Sequence, residues 1–287
     1  MRFGMVDRHG VPTLALPTDR GITLVTEVCE RSGIHAAHGL DAPPRTVLDL
    51  LAGDGLSLAF AEAVAAAADD FEPEGPWRMP FRPGKIVAVG RNYRAHAEEL
   101  GNRPPAEPIL FGKEPSICIG PDEPIAIDPA MGRVDHEGEL AVVMGRAARN
   151  IAPEAVRACV AGYTLLNDVT ARDVQAAAKK KGLPWFLAKN QDTFCPLGPV
   201  VVPADAVAWP PALDLSVRVN GEVRQTGNTG DMIFQLPELI AYITRHLPLA
   251  PGDVIATGTP EGVSPIRPGD VVEVVCPEIG ALRNPVT

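Results

Sequence analysis

The chain has 287 residues, a formal net charge of -10 and five cysteines that are scattered without a CxxC pair. The acidic balance argues against a nucleic-acid-binding protein, which needs a basic face, and the cysteine spacing argues against a disulfide framework or a zinc site. The amino terminus lacks a signal-peptide pattern and no apolar run reaches the roughly 20 residues of a membrane helix, so we expect a cytoplasmic protein that does not contact membranes.

The first 75 residues are predicted to form a small α/β domain. A hairpin is expected around Arg8-His9-Gly10, and helices are expected in TVLDLLAGDG and LAFAEAVAAAADD. The segment FEPEGPWRMPFRPGK is rich in proline and glycine, which is typical of a linker that crosses the surface. We therefore predict a domain over residues 1–75 and a larger catalytic domain over residues 76–287.

Short strands and turns dominate the rest of the sequence. The strand candidates are KIVAVG, PILFGK, PIAI, GELAVVMG, GYTLLNDV, GPVVV, LSVRVNGEVRQ, DVIATG and DVVEVVC. Asn220-Gly221, between alternating apolar residues, is the strongest hairpin signal. TARDVQAAAKKKG and QLPELIAYITRHL are expected to be helices. These patterns predict a mixed α+β fold that is mainly β.

Two carboxylates stand close together in the stretch VDHEGELAVV. Glu137 and Glu139 are two residues apart, so on a strand both side chains project from the same face. Buried carboxylates on one face repel each other unless a cation binds, and Mg²⁺ and Ca²⁺ take oxygen ligands. The alternative is a solvated strand edge, because the E-x-E pattern is common. His136 should point to the opposite face and is not a ligand candidate.

A third carboxylate, Asp168, ends the apolar strand GYTLLNDV. Thr170 and Asp173 match a capping box, which predicts a helix that begins at Thr170. Arg172 and Gln175 then lie three residues apart on one helical face. The group is typical of a metal ligand beside an anion-binding pair. The alternatives are a turn residue at Asp168 and a surface ion pair at Arg172.

Three further segments carry candidate site residues. His96 and Glu99 share a face of a short helix that Gly101 should end, and the carboxylate would orient the imidazole as a base; the alternative is a surface pair. Lys189 follows an apolar run, and a buried lysine is costly unless it meets an anion; the alternative is a lysine that reaches solvent. Thr259, in IATGTPEGV, lies in a turn suited to carboxylate binding.

Seven segments together resemble the fumarylacetoacetate hydrolase family, and they occur in that family's order from about residue 84 to the end. They are KIVAVGRNYRAHAEELG, DHEGELAVVMG, GYTLLNDVTARD, AKNQDTFCPLGP, VNGEVRQTGNTGDMIF, LPLAPGDVIATGTPEGV and PGDVVEVVCPEIGALRNPV. The N-terminal unit matches only loosely. The resemblance implies a fumarylacetoacetate-hydrolase-like mixed β-roll with a small N-terminal α/β domain and a site at the open mouth of the roll.

The resemblance also implies roles for the candidate residues. The metal ligands, for Mg²⁺ or Mn²⁺, would be Glu137, Glu139 and Asp168. The catalytic residues would be His96 and Glu99 on a mobile lid helix, together with Lys189. The residues that bind the 2-oxo acid substrate would be Tyr93, Arg172, Gln175 and Thr259, with Lys189 beside them.

One segment departs from the family's pattern. Many members read G-K-S-F-D where this chain reads Ala188-Lys189-Asn190-Gln191-Asp192. The lysine is retained, but Asn190 and Gln191 replace a small and a bulky apolar residue. We expect this change to make the pocket wall more polar and so to alter the choice of substrate.

The function that this resemblance implies is a divalent-metal-dependent hydrolase. It would cleave the C–C bond of acylpyruvate-type substrates through a metal-stabilised enolate, with His96 activating the attacking water. The same enolate would also serve an isomerase, tautomerase or decarboxylase of 2-oxo or 2-hydroxydienoic dicarboxylic acids, such as 2-hydroxyhepta-2,4-diene-1,7-dioate or oxaloacetate. A non-catalytic oxo-acid-binding protein is a third alternative. Because the family usually forms dimers, we expect a homodimer.

Overall fold

The computed structural model describes residues 1–73, 75–99, 101 and 103–287. Residue 74 of the predicted linker and residue 100 of the predicted lid segment lie outside the described residues. The elements before residue 80 are β1 (Phe3–Arg8), β2 (Val11–Thr18), β3 (Gly21–Leu24), α1 (Val25–Ser32), α2 (Ile34–Ala37), α3 (Leu58–Ala67) and β4 (Trp77–Arg78).

The later strands are β5 (Ile86–Gly90), β6 (Ile109–Lys113), β7 (Cys118–Ile119), β8 (Val134–Asp135), β9 (Gly138–Met144), β10 (Val160–Asn167), β11 (Thr170–Ala171), β12 (Cys195–Pro203), β13 (Asp214–Val219), β14 (Glu222–Asn228), β15 (Val254–Ala256), β16 (Val271–Cys276) and β17 (Gly280–Pro285). The later helices are α4 (Arg94–Glu99), α5 (Arg172–Lys180), α6 (Phe186–Lys189) and α7 (Leu236–His246). This content confirms the mixed, mainly β fold.

Of the three elements predicted in the N-terminal segment, two are confirmed. The hairpin between β1 and β2 is confirmed, and α3 begins after Ser57, whose hydroxyl accepts a hydrogen bond from the Phe60 amide at 3.2 Å. The helix predicted in TVLDLLAGDG is wrong, because only a short 3₁₀ turn over Asp49–Leu51 forms. The Asp49 carboxylate accepts bonds from the amides of residues 45 and 46, and Gly53 adopts a positive φ that ends any helix.

One large mixed sheet forms the centre of the molecule. Its strands lie in the order β3-β2-β1-β12-β10-β9-β15-β5-β6, with β4 beside β1 and β7 beside β12. Every residue of β9 and of β12 is buried, which explains why their sequences are almost continuously apolar. The N-terminal strands join this sheet through the pairing of β1 with β12. The domain boundary at residue 75 stays a prediction.

A second sheet, in the order β14-β13-β16-β17, contains the hairpin predicted at Asn220-Gly221. Both turn residues have positive φ, as a two-residue hairpin turn requires. The predicted PIAI strand is wrong: it forms only an isolated bridge between Ile125 and Val286. Within the described ranges, no helix has the length and apolar character needed to cross a membrane.

The antiparallel register of β9 and β10 positions the candidate site. Asn167, the last residue of β10, lies opposite Gly138, the first residue of β9. The Asp168 amide therefore donates to the carbonyl of Glu137 at 2.8 Å. As a result, the residues that flank the two strand ends meet at one edge of the sheet.

Candidate active site

Three buried carboxylates meet at this edge of the sheet. Glu137, Glu139 and Asp168 each offer an oxygen atom, and these atoms all lie within 4.8 Å of one another. Each of the three residues is at most 4% exposed. The structure thus brings together the three carboxylates that the sequence pattern grouped, and all the donor atoms are oxygens, the ligand type that hard divalent cations prefer.

Glu139 lacks a cationic partner in the described part of the chain. Its carboxylate accepts a hydrogen bond from the Gly258 amide at 2.9 Å. Burial, followed by the charges of Asp168 and Glu137, raises the pKa of Glu139 well above its usual value. The charge of Lys189 and the Gly258 amide lower this pKa, but they do not offset the burial and the two neighbouring carboxylates, so Glu139 must take up a proton or bind a cation.

Glu137, by contrast, lies against two cations. Lys189 donates to its Oε2 at 2.6 Å, and the guanidinium of Arg172 forms a short contact with its Oε1. Burial alone would raise the pKa of Glu137, but the charges of Arg172 and Lys189 hold it below the usual range. Glu137 therefore stays ionised, and it anchors both cations beside the triad.

Lys189 is buried as predicted, but its partners are protein carboxylates. Its ammonium donates to Asp168 as well as to Glu137. Burial alone would lower the pKa of Lys189, but these two carboxylates raise it. The side chain is therefore a fixed positive charge at the edge of the cavity.

A second buried lysine, Lys113, was missed in the sequence. Its ammonium donates to Asp168 Oδ1 at 2.7 Å and to the Lys189 carbonyl at 2.6 Å. It ends the apolar strand β6, in PILFGK. The criterion that singled out Lys189, a lysine directly after an apolar run, would also have found it.

Arg172 and Gln175 lie together as expected, but the helix that carries them begins later than predicted. Its first residue is Arg172, and no side chain caps it. Thr170 lies in β11, which pairs with β8, and its hydroxyl donates instead to the Asp168 carbonyl at 2.8 Å. Asp173 accepts from the Arg133 amide at 3.0 Å. The capping box is therefore wrong, because strand pairing keeps Thr170 extended.

Asp135, a second residue missed in the sequence, orients the arginine. Its buried carboxylate accepts from Arg172 Nε at 2.7 Å and from Arg133 Nε at 2.7 Å. Gln175 Oε1 accepts from Arg172 Nη1 at 3.1 Å. With Glu137 on the remaining nitrogen, the guanidinium is held in one orientation at the cavity wall.

His96 and Glu99 lie beside each other on α4, but no hydrogen bond joins them. His96 Nδ1 is 3.5 Å from the nearer Glu99 oxygen, and it has no hydrogen-bond partner among the described residues. The Glu99 carboxylate accepts from the Gly262 amide at 3.1 Å. Burial lowers the pKa of His96, against the opposing charge of Glu137. Gly101 has a positive φ and its amide donates to Glu98, so it ends the helix as predicted.

The remaining candidates lie around the triad. The Thr259 hydroxyl donates to the Gly138 carbonyl at 2.8 Å and accepts from Gln225 at 2.9 Å, so its proton is used by the backbone. Tyr93 is buried and is not among the described residues that line the cavity. His136 bonds to Gln225 at 2.9 Å and to Ser264 at 2.8 Å, away from the triad, as predicted.

The triad opens into a small cavity. Its wall includes Phe111, Trp185, Lys179, Arg91 and His96. The polar wall expected from Asn190 and Gln191 is not found. Their amide groups donate to backbone carbonyls, and neither residue is among the described residues that line the cavity.

The Gly258 amide donates to the Glu139 carboxylate of the triad, and we expect Gly258→Ala to destabilise the protein. Its φ is +97°, and an added Cβ would lie 2.8 Å from Asn92 Cβ and 3.1 Å from the Val89 carbonyl. We expect a loss of about 1–3 kcal/mol in the free energy of unfolding, measured by chemical denaturation. Gly182→Ala is the matched control, because its φ is +66° with no heavy atom within 4 Å of the added Cβ. Equal losses in the two variants would contradict the steric explanation.

Comparisons with known proteins place the chain in a family. Residues 85–287 match the family model for the fumarylacetoacetate (FAA) hydrolase C-terminal domain. A mitochondrial oxaloacetate tautomerase of Oryza sativa subsp. japonica is 50% identical over 192 residues, covering 66% of this chain and 83% of the relative. A mitochondrial oxaloacetate tautomerase of Homo sapiens is 41% identical over 253 residues, covering 85% of this chain and 80% of the relative.

A solved structure extends the likeness to the whole fold. The 5-carboxymethyl-2-hydroxymuconate delta-isomerase from Mycobacterium smegmatis superposes with a TM-score of 0.76 at 33% identity, covering 100% of this chain and 98% of that one. This likeness confirms the mixed β-roll fold that the resemblance implied. The chain therefore belongs to the fumarylacetoacetate hydrolase family, and it is an enzyme of that family.

Proposed function

We propose that the protein is a divalent-metal-dependent tautomerase or isomerase that interconverts the enol and keto forms of 2-oxo acids. The observation that carries this proposal is the buried oxygen triad, in which Glu139 has no cationic partner among the described residues. The fixed cations Lys189 and Arg172 stand directly beside it. This combination suits an anionic substrate, because the fixed positive charges would attract its carboxylate.

The triad fits a divalent cation. Glu137, Glu139 and Asp168 would hold Mg²⁺ or Mn²⁺, because both ions accept carboxylate oxygens. The ion would neutralise the uncompensated charge of Glu139. When bound, it would polarise the 2-oxo oxygen and stabilise negative charge on an enolate.

The chain's own residues bind the substrate and move the proton. Lys189 and Arg172 orient the carboxylate of the 2-oxo acid through their positive charges. In the keto-to-enol direction, the neutral imidazole of His96 takes a proton from C3 and the C2–C3 double bond forms; the resulting imidazolium then gives that proton to the oxygen at C2, which restores the neutral imidazole. The reverse direction returns a proton to C3. Burial of the site excludes water from competing with these contacts.

Two observations favour this chemistry over the hydrolysis first expected. The relatives reported above bear the names of tautomerases and an isomerase. The second is that His96 lines the cavity beside the triad. Proton transfer at C3 requires only the imidazole.

His96→Ala tests the proposal. We expect the metal-dependent ketonisation of enol-oxaloacetate, measured above the spontaneous rate, to fall by about 10²–10⁴-fold, because general acid–base catalysis contributes that much. The rise in melting temperature with Mg²⁺ should persist, since His96 is not a proposed ligand. His246→Ala, which removes an exposed histidine of α7, is the control. Release of pyruvate from acetylpyruvate as the faster reaction would support a hydrolase instead.

A further inference from the structure

A buried glutamine from the second sheet reaches the candidate site. Gln225 lies in β14 and is 1% exposed, while the other residues of this strand are exposed or half-buried. The pairing of β13 with β14 shifts between Val217 and Arg218, so that Arg224 is an extra residue directly before Gln225. Such a bulge re-aims a neighbouring side chain. Because a buried amide is costly unless its polar groups are bonded, the hydrogen bonds of Gln225 indicate its role.

The two ends of the Gln225 amide bond to different segments of the chain. Its oxygen accepts from the Gly138 amide at 3.2 Å and lies 2.9 Å from His136 Nδ1. Its nitrogen donates to the Pro260 carbonyl at 2.8 Å and to the Thr259 hydroxyl at 2.9 Å. A backbone amide can only donate and a carbonyl can only accept, so these contacts fix which end of the side-chain amide faces which segment. His136 Nδ1 must therefore carry the hydrogen in its bond to Gln225.

Both of these segments act on one carboxylate of the triad. Gly138 directly precedes Glu139, and its carbonyl accepts from the Thr259 hydroxyl at 2.8 Å. The adjacent Gly258 amide donates to the Glu139 carboxylate at 2.9 Å. Gln225 therefore joins the backbone that leads into Glu139 to the loop whose amide bonds the Glu139 carboxylate.

The loop that follows β15, residues 257–262, packs closely on β14. An added Cβ at Gly262 would collide with the Arg224 carbonyl, and one at Gly227 would lie 2.5 Å from Pro260 Cβ. Glycine at these two positions lets the loop approach the strand closely enough for the glutamine to reach it. The hydrogen bonds of the glutamine therefore link the loop to β14 across a closely packed contact.

We propose that Gln225 is a positioning residue for the metal site, which sets where the Glu139 carboxylate lies relative to the other two carboxylates. It acts through the Gly138 backbone and through the loop that bears the Gly258 amide. The proposal rests on the proposed function, because it assumes that the triad binds a divalent cation. Mg²⁺ requires near-ideal octahedral geometry, and groups that orient metal ligands typically change metal affinity by about 10–100-fold.

Calorimetric titration of the metal-free protein with Mn²⁺ tests this role. In Gln225→Met, which keeps the length of the side chain but removes its hydrogen bonds, we expect the Kd for Mn²⁺ to rise by about 10–100-fold. Asn284→Leu is the matched control: Asn284 is a buried amide of the same sheet, and its Nδ2 donates to the carbonyls of Gly120 and Glu123 at 2.8 and 2.9 Å. An unchanged Kd in Gln225→Met, or an equal rise in Asn284→Leu, would overturn the proposal.

Hydrogen–deuterium exchange of the metal-free protein gives a readout that does not depend on the ion. We expect faster exchange of the amides over residues 257–262 in Gln225→Met, where the loop has lost its link to β14, and wild-type rates there in Asn284→Leu. Exchange at the wild-type rate in Gln225→Met would overturn the positioning role. If the wild type itself failed to bind Mn²⁺, the proposed function would be overturned, while faster exchange would still show that Gln225 positions the loop.

Thr259→Val provides the test if Gln225→Met does not fold. Valine keeps the shape of threonine but removes the hydroxyl that accepts from Gln225 and donates to the Gly138 carbonyl. We expect the same two changes, a higher Kd for Mn²⁺ and faster exchange over residues 257–262. Wild-type values for both would overturn the proposal.

Discussion

Replacing Lys189 by methionine is expected to destabilise the metal-free protein by about 3–5 kcal/mol, the usual consequence of removing one partner from a buried ion pair. Lys189 donates to both Glu137 and Asp168, so the substitution leaves both carboxylates short of a positive charge. We also expect tautomerisation to fall by at least about 100-fold, because a fixed charge beside the developing enolate is lost. Chemical denaturation and steady-state rates measure the two effects.

The same variant should respond more strongly to metal. A divalent cation would replace the lost charge, so the increase in melting temperature on adding Mg²⁺ should be larger in Lys189→Met than in wild type. Lys180→Met is the control, because Lys180 is exposed near the end of α5 and should behave as wild type. If Mg²⁺ raised the melting temperature of Lys189→Met by no more than that of wild type, this would contradict the idea that the lysine and the ion neutralise the same carboxylates.

Replacing Glu139 by glutamine should strongly reduce metal-dependent activity yet stabilise the metal-free protein. The amide keeps the volume of the side chain and an oxygen acceptor for the Gly258 amide, and it removes the cost at neutral pH of holding a proton on a carboxyl group that is ionised in the unfolded chain. We expect a gain of about 1–3 kcal/mol in the metal-free free energy of unfolding and a loss of about 10³-fold in rate, because Lewis-acid stabilisation is worth several kcal/mol.

The pH dependence gives a second readout of the same substitution. Because burial raises the pKa of Glu139, the folded metal-free protein keeps a proton that the unfolded chain releases above about pH 4. As the pH rises above about 4, the free energy of unfolding of the wild type therefore falls relative to that of Glu139→Gln. Glu62→Gln, at an exposed position in α3, is the control. A Glu139→Gln protein less stable than wild type at neutral pH would contradict this reading of the site.

Local patterns made the three carboxylates candidates, and the family resemblance grouped them as one set of metal ligands. The spacing of Glu137 and Glu139 and the position of Asp168 after a strand can both be read within a few residues. The antiparallel pairing of β9 and β10 then brings these strand ends together. Apolar patterns likewise predicted most of the strands, because a strand with one buried face alternates and a strand with two buried faces is a continuous apolar run.

The errors and omissions arise where distant parts of the chain decide the outcome. Thr170 has the local signal of a helix cap, but its pairing with Asp135 in β8 overrides it. Lys113 is an exception, because the local criterion applied to Lys189 would have found it; only its partner, the Lys189 carbonyl, is distant in sequence. Glu99, which lies 3.5 Å from His96 Nδ1, also accepts from the amide of Gly262 in the loop after β15, a partner that is distant in sequence.

Exchange of the C3 protons of oxaloacetate in D₂O tests the central proposal most directly. Proton NMR would follow the loss of the C3 signal with the enzyme in Mg²⁺ and in a chelator, with the uncatalysed exchange subtracted. We expect exchange that depends on both the enzyme and the metal, and that is lost in Glu139→Gln. Exchange at the uncatalysed rate, or exchange that persists after complete metal removal, would contradict a metal-dependent tautomerase built on Glu137, Glu139 and Asp168.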